Sequence, residues 1–218
     1  MPIRAVVFDV GETLVDETRH WGEWADWMGV TRLTFFAALG SVIERGGHHH
    51  EVFELVRPGF DLEAARRARG ATGWTYDFAP GDFYPDALPC LAALRARGYR
   101  VGIAGNQPEA AEDALLAAGA QADFVASSTR WGVEKPSPAF FARVARAAGA
   151  TPAEIAYVGD RLDNDVLPAA AAGMTAIFIR RGPWAVIQAA KTADVTHAHA
   201  SIQSLSELAD ISNKIGGL

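Results

Sequence analysis

The 218-residue chain has one cysteine and no long hydrophobic run. Because a single cysteine, Cys90, cannot form an intrachain disulfide, we expect a fold held by its apolar core, as in a reducing compartment such as the cytoplasm. The longest uncharged apolar segment, 166–179, contains Pro168 and Gly173 and is shorter than the roughly 20 residues of a membrane-spanning helix. The sequence therefore predicts a cytoplasmic protein that does not span a membrane.

The charge pattern argues against a nucleic-acid binder. Lysine and arginine number 20 against 26 acidic residues, which gives a formal net charge of −6. No run of basic residues is long enough to line a groove for phosphate backbones. Since 50% of the residues are hydrophobic and 21% are charged, the composition is that of a globular protein. The first apolar stretch meets Asp9 too early to form the core of a signal peptide, so we expect no export.

Short β-rich apolar runs alternate with helical segments over most of the chain. The runs are typical of parallel strands buried on both faces and cover residues 5–8, 101–104, 124–126, 155–158 and 176–179. The helical segments each end just before a glycine and cover residues 88–97, 108–118, 138–148 and 164–172. This alternation predicts an α/β fold: a Rossmann-like, doubly wound parallel sheet with helices on both faces.

Residues 15–84 interrupt the alternation, because they are rich in aromatic side chains and contain no clear strand run. We predict that they form a helical cap inserted after the first strand. The remaining residues, 1–14 and 85–218, would then form the Rossmann-like core.

Two features of the predicted cap bear on function. Trp21, Trp24 and Trp27 are spaced three apart, which predicts one aromatic helix face. Such a face usually belongs to a core, and the alternative is a hydrophobic roof over a site. The histidine run 48–50 could bind a transition metal, but consecutive histidines point in different directions on a helix, so we expect a solvated loop.

Side chains that follow parallel strands share the carboxyl edge of the sheet, where ligands bind in such folds. Asp9 follows the first run and precedes a glycine-containing loop, so it is a candidate nucleophile or metal ligand. An ordinary turn is the alternative. Gly105 and Asn106 follow the second run, and backbone N–H groups at a helix starting at Pro108 could hold an anion there. For Asn106, a plain helix cap is the alternative.

A lysine and three aspartates complete the set of polar residues near strand ends. Lys135 is one of three lysines beside 17 arginines, which indicates a need for a compact ammonium just ahead of a helix, with a surface lysine as the alternative. Asp160, Asp163 and Asp165 follow the fourth run, and carboxylates this close repel one another unless a cation or Lys135 neutralises them. The pattern favours a Mg²⁺ site. An acidic helix N-terminus would explain Asp163 but not Asp160.

In this order, the four strand ends resemble the motifs of the haloacid dehalogenase (HAD)-like hydrolase superfamily: an Asp loop, a Ser/Thr or Asn turn, a Lys and an acidic pair. The motifs stand here as Phe8-Asp9-Val10-Gly11-Glu12-Thr13-Leu14, Gly105-Asn106-Gln107, Glu134-Lys135-Pro136, and Gly159-Asp160 through Asn164-Asp165. The resemblance covers nearly the whole chain outside the insertion. It implies a Rossmann-like core with a cap after the first motif.

The resemblance also implies a Mg²⁺-dependent phosphohydrolase of a small phosphorylated metabolite. Asp9 would attack phosphorus to form an aspartyl-phosphate. The metal ligands would be Asp9, the backbone carbonyl of Gly11, Asp160 and Asp165, the last either through a bound water or as a partner of Lys135. Lys135 would neutralise the charge shared by Asp9 and the transferred phosphate, which an anionic nucleophile requires.

The sequence departs from the family pattern at two positions. Gly11 stands where family phosphatases carry a second Asp, a general acid/base whose loss typically costs about 10²- to 10⁴-fold in rate. Glu12 could replace that Asp, the substrate could have a good leaving group, or the protein could hydrolyse little. Gly105 stands where the family usually has a phosphate-binding hydroxyl. We therefore expect the phosphate contacts to come from the backbone at Gly105, from Asn106 and from Lys135.

Two alternatives to a phosphohydrolase remain. A catalytically weak or inactive HAD-fold binding protein would explain Gly11 and Gly105. A haloacid dehalogenase-type hydrolase also lacks the second Asp, but that branch of the family works without a metal and has little use for the acidic pair of Asp160 and Asp165.

Overall fold

The computed structural model describes residues 2–191 and 198–208. Its strands are β1 (Ala5–Phe8), β2 (Arg100–Gly105), β3 (Phe124–Ser127), β4 (Ile155–Gly159), β5 (Thr175–Ile179) and β6 (Ala200–Ile202). They form one six-stranded sheet in the order β3-β2-β1-β4-β5-β6, and every neighbouring pair is parallel. This is a doubly wound, Rossmann-like order. The predicted fold class is therefore confirmed. The short strand β6 is an addition to the five predicted strands.

After residue 84 helices alternate with strands. Between β1 and residue 84, four helices follow one another without an intervening strand. They are α1 (Thr18–Met28), α2 (Arg32–Glu44), α3 (Glu51–Val56), α4 (Leu62–Ala71), α5 (Ala87–Ala96), α6 (Ala110–Ala117), α7 (Ser128–Trp131), α8 (Pro138–Ala148), α9 (Leu167–Ala171) and α10 (Gly182–Lys191). A π-helical turn, Leu162–Val166, leads into α9. The helix that the sequence predicts from Pro108 begins at Ala110, and residues 106–109 form a turn.

Alternate strand side chains pack on opposite faces of the sheet, as the period of two requires. One face contributes Val6, Phe8, Val101, Ile103, Val158 and Ile177 to a core that includes Leu91 and Leu94 of α5. The other face contributes Ala5, Val7, Ile155, Tyr157 and Phe178 to a core that includes Phe140, Phe141 and Val144 of α8. Both faces are buried, which explains why the strands appear in the sequence as continuous apolar runs.

Helix α8 illustrates how local signals fix the elements. The Ser137 side chain accepts a hydrogen bond from the backbone N–H of Ala139, Pro138 occupies the first turn, and Gly149 ends the helix at φ +60°. Proline at the start and a left-handed glycine at the end both match what a helix terminus requires. The helix therefore begins and ends where the sequence predicts.

The chain divides into two compact units, Met1–Asp16 with Phe78–Leu218, and Glu17–Asp77. The second unit contains α1 to α4, and its core includes Trp21, Trp24, Phe35 and Phe53. Trp27 is 42% exposed, so the prediction of one buried face for the three tryptophans is wrong in that residue. The cause is helical geometry, since two steps of three residues rotate a side chain about 120° around the helix.

Two observations bear on the predictions made from the cysteine content and from the apolar runs. Cys90 is a free, buried thiol in α5. Within residues 2–191 and 198–208, none of the helices combines the length and apolarity that a bilayer crossing requires.

Candidate active site

A tight loop after β1 fixes Asp9 at the carboxyl edge of the sheet. The Asp9 N–H donates a hydrogen bond to the Val158 carbonyl at 2.9 Å, which continues the hydrogen bonding between β1 and β4. The next carbonyl, that of Val10, accepts from the N–H groups of Leu14 and Val15 at 2.8 and 3.0 Å. Because the loop closes on its own backbone, these hydrogen bonds fix the position of Asp9.

Three carboxylates meet at this edge. Asp9, Asp160 and Asp165 each offer an oxygen, and the three oxygens lie within 4.8 Å of one another. All three residues are buried, at 7%, 2% and 0% exposure. The parallel register explains the convergence, because Phe8 pairs with Val158 and so brings the ends of β1 and β4 together. The structure thus brings together the predicted acidic residues from strands that are far apart in sequence.

Lys135 supplies the positive charge beside them. Its Nζ lies 2.6 Å from Asp9 Oδ1 and 2.6 Å from Asp165 Oδ1. Burial alone would lower the pKa of Lys135, but the carboxylates of Asp165 and Asp9 outweigh burial and raise the pKa well above its usual value. The ammonium is therefore a fixed cation between the two carboxylates.

Asp160 lacks a comparable partner. Its Oδ2 is buried and has no hydrogen-bond partner among the described residues. Burial, and then the negative charges of Asp165, Asp9 and Glu12, raise the pKa of Asp160 well above its usual value. A buried carboxylate with an unused oxygen is costly unless a cation binds it.

The charge of the cluster fits one divalent cation. Three carboxylates against the Lys135 ammonium leave two formal negative charges. Carboxylate oxygens are the ligands that Mg²⁺ prefers in proteins. The donor atoms and the unpartnered Asp160 oxygen therefore fit Mg²⁺.

Asp165 is held by backbone as well as by Lys135. Its Oδ2 accepts a hydrogen bond from the Arg161 N–H at 3.0 Å. Burial raises the pKa of Asp165, and the Lys135 charge opposes that rise. Gly159 leaves room for the Asp165 side chain, since a Cβ at position 159 would lie 2.4 Å from the Asp165 Cβ. Asp163 lies outside the cluster and pairs with the Arg161 guanidinium at 2.7 Å.

Two of the three predicted phosphate contacts, Gly105 and Asn106, contact other residues of the site. A Cβ on Gly105 would lie 2.6 Å from Asp9 Oδ1, so the missing side chain makes room for the Asp9 carboxylate. The Asn106 amide donates to the Lys135 carbonyl at 3.0 Å and accepts from the Lys135 N–H at 2.8 Å. Asn106 thus positions the Lys135 backbone.

Glu12 has a left-handed backbone conformation, and its side chain accepts a short hydrogen bond. Its φ of +53° lies in the left-handed region, which costs a non-glycine residue about 1–3 kcal/mol. Glu12 Oε2 accepts a hydrogen bond from the Tyr84 hydroxyl at 2.6 Å. A Cβ on Gly182 would lie 2.5 Å from the same oxygen, so glycine is needed there. Burial, and then the bond to Glu12, raise the pKa of Tyr84, which keeps the phenol protonated as the donor.

Comparisons with known proteins identify the family of the chain. A family model described as haloacid dehalogenase-like hydrolase matches residues 3–173. The chain belongs to the haloacid dehalogenase-like hydrolase family. The glyceraldehyde 3-phosphate phosphatase of Methanopyrus kandleri is 34% identical over 200 residues, which cover 84% of this chain and 86% of that protein. The phosphoserine phosphatase of Thermus thermophilus is 34% identical over 131 residues, 55% of this chain and 53% of that protein.

Solved structures show the same HAD fold. A HAD phosphatase from Thermococcus onnurineus superposes with a TM-score of 0.62 at 24% identity, over 96% of this chain and 97% of that chain. The resemblance that the sequence motifs indicate is therefore confirmed for the family and for the parallel-sheet fold.

Several residues around this HAD site were not predicted from the sequence. The Tyr157 ring lies beside Lys135, with its centroid 5.9 Å from the Lys135 Nζ. The Tyr157 hydroxyl donates a hydrogen bond to the Ala104 carbonyl at 2.8 Å. Arg181 stacks on Tyr84, with Cζ 3.9 Å from the ring centroid. Tyr157 stands within a continuous apolar strand run, so the sequence pattern indicates only a core position for it.

Proposed function

We propose that this HAD-family chain is a Mg²⁺-dependent phosphohydrolase of a small phosphorylated metabolite. The observation that carries the proposal is the Lys135 ammonium between Asp9 and Asp165, beside the unpartnered Asp160 carboxylate. An anionic nucleophile can approach an anionic phosphate only where positive charge is already in place. The phosphatase names of the relatives support the same reaction class.

In the proposed mechanism, an Asp9 oxygen attacks phosphorus, the bond from phosphorus to the leaving oxygen breaks, and an aspartyl-phosphate forms. Water then attacks that phosphorus, releases inorganic phosphate and restores the Asp9 carboxylate. Lys135 stabilises the negative charge that Asp9 and the phosphoryl group share. Asp165 holds Lys135 in place through the 2.6 Å contact. Asn106 fixes the Lys135 backbone, and so acts as a positioning residue.

The proposed metal ligands are Asp9, Asp160 and the backbone carbonyl of Gly11, with Asp165 as a ligand through water or as the partner of Lys135. A bound Mg²⁺ would supply further positive charge at the phosphoryl group. The phosphate contacts are proposed to come from Lys135 and from the backbone at Gly105 and Asn106.

We assign general acid/base catalysis to Glu12, in place of the Asp that the family carries at position 11. A strained backbone in a catalytic loop is kept only where the surrounding contacts enforce it, and such residues cluster at functional sites. The hydrogen bond from the Tyr84 hydroxyl anchors the Glu12 side chain here, and Gly182 leaves room for it. In this assignment Glu12 donates a proton to the leaving oxygen and later takes one from the attacking water.

The test is a phosphate-release assay with Mg²⁺ over a panel that includes glyceraldehyde 3-phosphate and phosphoserine. We expect Asp9→Asn to lower turnover by about a thousandfold or more, as loss of a nucleophile does. Asp163→Asn is the control, because Asp163 lies in the segment that holds Asp160 and Asp165 but pairs with Arg161 outside the cluster. Equal turnover by the wild type and Asp9→Asn would refute the proposal.

The remaining assignments are also proposals. We propose that residues 15–84 form the helical cap of a core made of residues 1–14 and 85–218. A dehalogenase would release halide from a 2-haloacid without added metal. A non-catalytic binding protein would bind Mg²⁺ and turn over no substrate. The buried acidic cluster favours the phosphohydrolase over the metal-independent dehalogenase.

A further inference from the structure

The histidine run 48–50 has a geometry that the sequence does not predict. The three residues lie in the connection between α2 and α3, with His49 and His50 in a turn. Their ring centroids are 4.2 Å apart for His48 and His49, 4.3 Å for His49 and His50, and 4.7 Å for His48 and His50. The expected loop is present, but the divergence of side chains that argued against a metal applies to a helix, and the turn at His49 and His50 brings the rings to one side.

The ring nitrogens converge as well as the rings. One nitrogen of each histidine lies within 4.8 Å of the other two. Imidazole ligands on one tetrahedral Zn²⁺ lie roughly 3.4 Å apart, given Zn–N bonds of about 2.0–2.1 Å. His48 is exposed, and His49 and His50 are half-buried. Small side-chain rotations at the surface would close the difference.

We propose that His48, His49 and His50 bind one divalent transition-metal ion of borderline softness, such as Zn²⁺ or Ni²⁺. Three neutral imidazoles suit these ions, whereas Mg²⁺ prefers oxygen ligands. Water would complete a tetrahedral shell. The site is separate in chemistry and in sequence from the carboxylate cluster at Asp9, and it does not depend on the proposed phosphohydrolase activity.

Contacts of His48 and His50 compete with the ion. His48 Nδ1 accepts a hydrogen bond from the His50 N–H at 3.2 Å. The Arg66 guanidinium lies 3.3 Å from His50 Nε2, where it uses a lone pair and repels a cation. Since Arg66 also pairs with Glu63 at 2.5 Å, it has another partner when it leaves His50. We therefore expect Arg66 to weaken the site without blocking it.

The site would join elements of the helical unit Glu17–Asp77. His49 packs edge-on against Trp21, with ring centroids 5.7 Å apart. His50 contacts Phe53 of α3, with centroids 6.2 Å apart. An ion held by the turn would fix the start of α3 against the aromatic core, so binding should stabilise the folded chain.

The experiment measures Zn²⁺ binding to the full chain by calorimetry in excess Mg²⁺, together with the thermal unfolding midpoint. His48→Gln removes a ligand at an exposed position, which spares the fold. Asp160→Asn disables the carboxylate cluster instead. Arg66→Gln removes the competing charge, and Arg67→Gln is its matched control, since Arg67 is the next exposed arginine on α4.

We expect one Zn²⁺ ion per chain and a rise in the unfolding midpoint, both retained in Asp160→Asn. His48→Gln should weaken binding by more than about tenfold, because a ligand is lost. Arg66→Gln should tighten binding by about tenfold, because a unit positive charge beside the ligands is removed, and Arg67→Gln should not. The proposal would be overturned if the wild type does not bind Zn²⁺, if His48→Gln binds Zn²⁺ as tightly as the wild type, or if Asp160→Asn no longer binds Zn²⁺. Binding without a rise in the midpoint would also overturn it.

Discussion

The substitution Lys135→Met gives the sharpest test of the electrostatics at the site. The Lys135 side chain is 1% exposed and makes ion pairs of 2.6 Å with Asp9 and with Asp165. Methionine matches the length of the side chain but removes the charge. Three carboxylates within 4.8 Å would then face one another without a cation.

The expected cost follows from that geometry. Removal of one partner of a buried ion pair typically destabilises a protein by about 3–5 kcal/mol, because the other charge stays buried and unpaired. In a chain of this size, each kcal/mol lowers the unfolding midpoint by roughly 2–4 °C, so we expect a fall of about 10 °C in EDTA. Mg²⁺ should restore part of the loss, since it neutralises the same carboxylates.

Thermal unfolding by circular dichroism, with EDTA or Mg²⁺, measures this effect. Lys191→Met is the control, because it removes a lysine from the exposed end of α10. The double variant Lys135→Met/Asp165→Asn should lose less stability than the sum of the two single variants, since it removes both charges of one pair. A Lys135→Met chain as stable as the wild type in EDTA, or strictly additive effects, would refute this reasoning.

Three further substitutions and one titration test the remaining parts of the site. Glu12→Gln should lower turnover of a simple phosphomonoester by about 10²- to 10⁴-fold, because the proposed general acid/base is lost, and Gly11→Asp should give no gain; a gain in Gly11→Asp with little loss in Glu12→Gln would contradict the assignment. Gly159→Ala should cost about 1–3 kcal/mol in unfolding free energy and weaken Mg²⁺ binding, because its Cβ would push Asp165 away; unchanged unfolding in urea would contradict this. Burial and neighbouring carboxylates raise the pKa of Asp160, so the metal-free chain should lose stability as pH rises through that pKa. Mg²⁺ competes with the proton, so its effect on the unfolding midpoint should grow with pH, and a constant effect would contradict this.

The core and the acidic cluster could be predicted because both depend on strand position. Apolar runs buried on both faces have a clear sequence pattern, and the residues that follow them must share one edge of a parallel sheet. Asp9, Lys135, Asp160 and Asp165 come together for this reason. Strand β6 has three residues, which is too short for a pattern to emerge.

Other features depend on side-chain geometry that no spacing rule gives. Asn106 binds the backbone of Lys135 through its amide, although the sequence pattern indicates a phosphate contact or a helix cap. Tyr84 reaches Glu12 across 72 residues of chain, so no local pattern could pair them. The sequence predicts a loop at the three histidines, but no spacing rule gives the direction of each ring within the turn before α3.

The most direct test of the central assignment is detection of the aspartyl-phosphate during turnover. A reaction with ³²P-labelled substrate and Mg²⁺ is quenched in acid, and the labelled peptide is identified by mass spectrometry. We predict hydroxylamine-sensitive label on the peptide that contains Asp9, and no label in Asp9→Asn. Label on a different residue, or phosphate release by the wild type with no protein-bound label at any time, would contradict Asp9 as the nucleophile.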